Sequence, residues 1–114
     1  MLKDPKVFLK HILESILLIK QYTELLTKEN FVLSLQSQDA VIRRLEIIGE
    51  AVKNLPIEFI STYPAIPWRQ IAGMRDVLIH KYFGVDLSLT WETVQNDILT
   101  LETQINEILK GLEP

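Results

Sequence analysis

Four side chains that could perform chemistry lie close together in residues 73–83, GMRDVLIHKYF. Arg75 and His80 form an R-x4-H motif, Asp76 follows the arginine, and Tyr82 lies two residues beyond the histidine. A guanidinium can hold a phosphate bidentately and stabilise added negative charge, and a histidine can move a proton near neutral pH. This pair, without a metal or a thiol, suits phosphate chemistry. On RNA, the 2′-hydroxyl is a ready nucleophile.

An apolar stripe surrounds Arg75 if the segment is drawn as one regular helix. The stripe consists of Trp68, Ile71, Ala72, Leu78, Ile79 and Tyr82. An unpaired charge in such a stripe is costly, so we expect Arg75 to be paired or to face a groove. Glu46 and Glu50 are the candidate partners. In that alternative His80 would only cap the helix end.

The same helical wheel relates His80 to its neighbours. Asp76 lies four residues before His80, so the two could meet on one helix face, where the carboxylate would orient the ring and favour its protonated form. Arg75 and His80 would be separated by about 140° around the helix. One copy would therefore not aim both groups at one point. The two side chains could flank one groove, or they could converge with those of a second copy across a two-fold axis.

Composition limits the class of protein. The 114 residues predict a single domain over 1–114, and the net charge of −3 means that nucleic acid would have to bind a local patch. The chain has no cysteine and two histidines, so disulfides, thiol catalysis and a dedicated metal site are not expected, and a reducing cytoplasm fits. No apolar run approaches a membrane span and no signal peptide is recognisable. The slightly positive mean hydropathy favours an apolar surface covered by a second copy.

The elements that must position these side chains are predicted to be helices. Apolar spacings of three and four residues predict four main helices. They are expected over about 5–26 with Asp4 as N-cap, from a cap at Ser34, Ser37 or Asp39 to Leu55, over 68–81, and over 87–108 with Asp86 as N-cap. A short helical turn is expected over 31–35. A helical turn is expected near 58–61, and no segment predicts a strand. Gly49 inside the second long helix indicates close approach of another backbone. The predicted fold class is all-α, an up-and-down helical bundle.

Two segments resemble one known family. DAVIRRLEIIGEA at positions 39–51 is similar to its second-helix signature, and IPWRQIAGMRDVLIHKY at positions 66–82 is similar to its active-site stretch. The family is the HepT-like group of HEPN-domain proteins, the toxin halves of prokaryotic HepT/MntA toxin–antitoxin pairs. The resemblance implies an all-helical HEPN bundle that forms a homodimer or a higher oligomer, with a cleft lined by the motifs of both protomers.

The resemblance also implies functions for the motif residues. Arg75 and His80 would be the catalytic pair of a metal-independent ribonuclease that needs no cofactor, with Asp76 at the supporting polar position. Tyr82 would be the residue to which a minimal nucleotidyltransferase antitoxin (MntA-like) attaches AMP, which would silence a toxin of this type VII-like system. The competing prediction is a non-catalytic helical module that docks a nucleotidyltransferase or binds a nucleotide.

Overall fold

The structure is a computed structural model that describes residues 4–80 and 84–112, except for the side chain of His80.

The first helix begins where the sequence predicts. Helix α1 spans Pro5–Thr23, and the Asp4 side chain accepts a hydrogen bond from the Lys6 amide at 3.0 Å. The helix ends three residues earlier than predicted. At this end the buried Thr23 hydroxyl donates to the Ile19 carbonyl at 2.8 Å.

Two helices follow α1, a short one and then the second long helix of the bundle. Helix α2 spans Lys28–Leu33 and begins before the helical turn that is expected over 31–35. Helix α3 spans Leu35–Lys53. Of the three caps that the sequence offered, Ser34 is the one used, and its hydroxyl accepts from the Ser37 amide at 3.2 Å.

The predicted third helix is interrupted. Helix α4 covers Ile57–Thr62, in agreement with the expected helical turn. Helix α5 then spans Trp68–Ala72 and helix α6 spans Met74–Leu78. Gly73 lies between them with φ −94° and ψ 5°, so the regular helix assumed for 68–81 does not exist.

A short hairpin replaces the end of that helix, which corrects the prediction that no strand is present. Strand β1, Ile79–His80, pairs antiparallel with strand β2, Gly84–Val85, and residues 81–83 between them lie outside the described residues. Gly84 has a φ of 77°, which glycine adopts readily. The Asp86 amide donates to the Leu78 carbonyl at 2.7 Å, so the end of α6 is bonded to the residue that follows β2.

The last helical element is long, as predicted, but it is not uniform. Helix α7 spans Leu87–Glu92, a π-helical turn covers Thr93–Asp97, and helix α8 spans Ile98–Leu112. Asp86 caps the start, as expected, by accepting from the Leu89 amide at 3.0 Å. The sequence contained no signal that we interpreted as a π turn.

The core lies between α1, α3 and α8. The large apolar residues of these helices that are almost fully buried are Leu9, Ile12, Ile16, Ile19, Val41, Leu45, Ile48, Val52, Ile98, Leu101, Ile105 and Ile108. They include apolar residues that recur at intervals of three and four in the predicted second and fourth helices. The protein is therefore an all-α helical bundle, as predicted. Within the described residues, no helix is both long and apolar enough to span a membrane.

Candidate active site

Close packing of α3 against α5 sets the framework of the site. A Cβ atom placed on Gly49 would lie 3.2 Å from the Ala72 carbonyl oxygen and 3.4 Å from the Ile71 carbonyl oxygen. The backbones therefore meet where a side chain would not fit without a shift. This confirms the expectation that Gly49 allows another backbone to approach, and it places α3 beside the segment that leads to Arg75.

Arg75 is paired with a carboxylate on α3. Its Nε donates to Glu46 Oε2 at 2.7 Å, whereas Glu50 pairs with Lys53 at 3.4 Å. The pairing with Glu46 was one of the alternatives that the sequence left open. The Arg75 side chain is 53% exposed, so its placement within an apolar stripe is wrong. That placement assumed one continuous helix, and the helix is interrupted at Gly73.

Asp76 lies at the edge of this pair. Its Oδ1 is 3.8 Å from Arg75 Nη1, and its side chain is 84% exposed. This separation is longer than a hydrogen bond. Together Arg75, Glu46 and Asp76 carry one positive and two negative formal charges. In the parts of the chain that the structure describes, no three His, Cys, Asp or Glu side chains are grouped to hold a metal ion.

The other two predicted site residues follow α6. The His80 backbone belongs to β1, so the predicted helical relations of His80 to Asp76 and to Arg75 are wrong. Helix α6 ends at Leu78 because Ile79 is already extended, with φ −108° and ψ 115°. The His80 backbone therefore lies two residues beyond the end of α6, and Tyr82 lies outside the described residues.

An apolar groove that sequence reasoning missed runs beside α6. Its volume is about 530 Å³, and it lies between α5–α6 and the π turn with α8. Met74 and Val77 line one side, and Leu89, Leu101 and Asp97 line the other. The groove depends on which helix faces meet, and only the slightly positive mean hydropathy hinted at apolar surface. Val77 is 57% exposed, so this apolar wall is accessible from solvent.

Among the described residues, partners take only part of the donor capacity of the Arg75 guanidinium. An arginine carries five N–H donors. Glu46 takes the one on Nε. Among the described residues, which do not include the His80 side chain, no hydrogen bond is formed by the Nη groups of Arg75. The exposed fork formed by Nη1 and Nη2 is therefore able to receive a phosphate in its bidentate geometry.

Comparisons with known proteins identify the family of the chain. The chain matches the family described as ribonuclease HepT-like over residues 12–108. No solved structure matches.

Three relatives illustrate the similarity. A protein of Methanocaldococcus jannaschii named "Gamma-glutamylcyclotransferase and putative RNase" is 58% identical over 99% of this chain, which spans only 51% of that protein. A "Putative RNase" of Caldanaerobacter subterraneus subsp. tengcongensis is 46% identical over 96% of this chain and 97% of its own length. A "Probable ribonuclease HepT" of Thermococcus cleftensis is 46% identical over 96% of this chain and 100% of its own length. The chain belongs to the HepT-like ribonuclease family.

Proposed function

We propose that this protein is a metal-independent endoribonuclease of the cytoplasm and the toxin of a type VII-like HepT/MntA toxin–antitoxin pair. The observation that carries the proposal is the exposed fork of Arg75, five residues before His80. Membership of the HepT-like ribonuclease family supports RNA as the substrate, as do the names of relatives that match almost the whole chain.

The proposed reaction is an internal attack within the RNA. The 2′-hydroxyl oxygen forms a bond to the adjacent phosphorus while the bond from phosphorus to the 5′-oxygen breaks. His80 acts as general base or acid for the two proton movements, from the 2′-hydroxyl and to the leaving 5′-oxygen. The Arg75 fork binds the phosphate and stabilises its added charge. The products are a 2′,3′-cyclic phosphate and a 5′-hydroxyl.

The proposal includes a second copy of the chain. The apolar groove beside α6 and the exposed Val77 support a homodimer in which this face is covered. Asp76 is proposed as a supporting polar residue beside Arg75, since its carboxylate is 3.8 Å from Nη1. Dimerisation would place the motifs of two protomers around one RNA cleft.

Tyr82 is the proposed point of regulation. A nucleotidyltransferase antitoxin would transfer AMP from ATP, with the phenolic oxygen attacking the α-phosphate and pyrophosphate leaving. The added phosphate charge and nucleotide, two residues from His80, would repel and block RNA. An intact mass of protein co-expressed with the neighbouring nucleotidyltransferase should show added AMP, and Tyr82→Phe should show none. Unmodified wild-type protein would contradict this part.

The catalytic proposal is tested with RNA oligonucleotides in buffer that contains EDTA. Wild-type protein should cleave them and leave cyclic phosphate ends. His80→Ala and Arg75→Ala should each lower the cleavage rate, His80→Ala by roughly 10² to 10⁴-fold, while unfolding midpoints stay close to wild type. Glu50→Ala, which removes a carboxylate one turn from Glu46, serves as the active control. Cleavage by His80→Ala at the wild-type rate would refute the proposed mechanism.

The alternative remains a binding module that docks a nucleotidyltransferase or binds a nucleotide. The net charge of −3 and the two carboxylates near Arg75 favour it, because negative charge opposes RNA binding. The two functions predict different effects on growth when the chain is expressed without its neighbouring gene. Growth arrest that His80→Ala relieves supports the nuclease, and harmless expression of the wild-type chain supports the module.

A further inference from the structure

We propose that Glu46 is a positioning residue that fixes the plane of the Arg75 guanidinium, so that a phosphate is received through Nη1 and Nη2 and not through Nε. The inference rests on the proposed ribonuclease function, in which Arg75 holds the scissile phosphate. It assigns a function to a residue on α3, 29 positions from Arg75.

Glu46 is the better anchored member of the pair. The Nε–Oε2 distance of 2.7 Å is that of a strong hydrogen bond between charged groups. The Glu46 side chain is 29% exposed and that of Arg75 is 53% exposed. Glu46 also lies three residues before Gly49, at which α3 meets the α5 backbone. The carboxylate is thus the less exposed partner and extends from a helix that is packed against α5, and the guanidinium is bonded to it.

The hydrogen bond decides which edge of the guanidinium remains for a ligand. A guanidinium can bind an anion through Nη1 and Nη2 or through Nε and one Nη, because the group is planar with five fixed donors. Glu46 occupies Nε, which removes the second edge. Asp76 Oδ1 lies 3.8 Å from Nη1. At that separation the carboxylate does not take the Nη1 donor by a hydrogen bond, so the Nη1–Nη2 edge is the one left for phosphate.

The charge of Glu46 would by itself have the opposite effect. A carboxylate beside Arg75 reduces the attraction for a phosphate, so Glu46 could instead compete with the substrate. Two substitutions of Glu46 distinguish positioning from competition. Glu46→Gln keeps an oxygen that can accept from Nε and removes the charge, whereas Glu46→Ala removes both. If Glu46 positions Arg75, the glutamine variant should keep most of its cleavage rate and the alanine variant should lose most of it. If Glu46 competes with the substrate, both variants should cleave RNA faster than wild type.

The kinetic test measures kcat and KM for RNA cleavage. Glu46→Ala should lose about 10-fold to 100-fold, mostly in kcat, because small displacements of a catalytic group have effects of this size. Glu46→Gln should restore most of the rate. Glu50→Ala is the matched control because its carboxylate lies one turn away and pairs with Lys53. Equal or faster cleavage by Glu46→Ala would overturn the inference.

A second readout does not depend on activity. The Nε–H group of Arg75, identified by its absence in Arg75→Lys, should exchange slowly with solvent in an NMR spectrum of the wild-type protein. Glu46→Ala should accelerate this exchange, and Glu46→Gln should largely preserve it. Unchanged exchange in Glu46→Ala would refute the positioning. If the wild-type protein fails to cleave RNA, the proposed function is wrong, and the exchange rate alone still decides whether Glu46 holds Arg75.

Discussion

Replacing Gly49 by alanine tests the packing on which the site depends. In the interior of α3, glycine to alanine gains about 1 kcal/mol of helix propensity. The new Cβ atom, however, lies 3.2 Å from the Ala72 carbonyl oxygen and 3.4 Å from that of Ile71. Overpacking of this kind costs about 1–3 kcal/mol. We therefore expect Gly49→Ala to lower the free energy of unfolding by about 0–2 kcal/mol, and Gly49→Val to lower it further.

Urea unfolding followed by circular dichroism measures these free energies. The matched control is Gly111→Ala, since Gly111 is also helical and a Cβ atom there would meet nothing within 4 Å. That variant should be at least as stable as wild type and gain at most about 1 kcal/mol. If Gly49→Ala is stabilised as much as Gly111→Ala, the close approach of α3 and α5 does not limit side-chain size and our reasoning is wrong.

Two further predictions concern local interactions. Asp86→Ala removes the bond to the Leu89 amide. It should therefore destabilise the protein by about 1 kcal/mol, whereas Ser88→Ala on the same helical turn should have little effect in the same urea experiment, and equal losses would contradict a capping function. The exposed side chains of Lys20 and Glu102 lie 3.1 Å apart. They should couple by at most about 1 kcal/mol in a double-mutant cycle and weaken in high salt, and a larger or salt-independent coupling would contradict this.

The helical framework could be predicted from local patterns. Asp4, Ser34 and Asp86 were all identified as possible caps, and each accepts the expected backbone hydrogen bond. The apolar positions of α3 and α8 recur at helical spacing, and the side chains at these positions are buried. These features depend on residues within a few positions of one another, so the sequence contains them directly.

The prediction was wrong where the local structure depends on residues that are distant in the sequence. The apolar spacing continues past Leu78, and nothing local indicated that Ile79 would pair with Val85 in a hairpin. The wheel that assumed a continuous helix therefore misplaced Arg75 and His80.

The choice of partner for Arg75 also depends on tertiary packing. The sequence offered Glu46 and Glu50 as equals. The docking of α3 against α5 brings Glu46 to the guanidinium, while Glu50 pairs with Lys53 on its own helix.

The hydrogen bond from the Asp86 amide to the Leu78 carbonyl has a consequence for how this protein can vary. This bond joins the two ends of the loop between residues 78 and 86. The helices before and after the loop are therefore held together at its base, however long the chain between them is. Lengthening a loop whose ends stay joined costs only about 0.6 kcal/mol for each doubling of its length. The segment that carries His80 and Tyr82 can therefore accept insertions or exchange with that of a relative while the remainder of the chain keeps its fold.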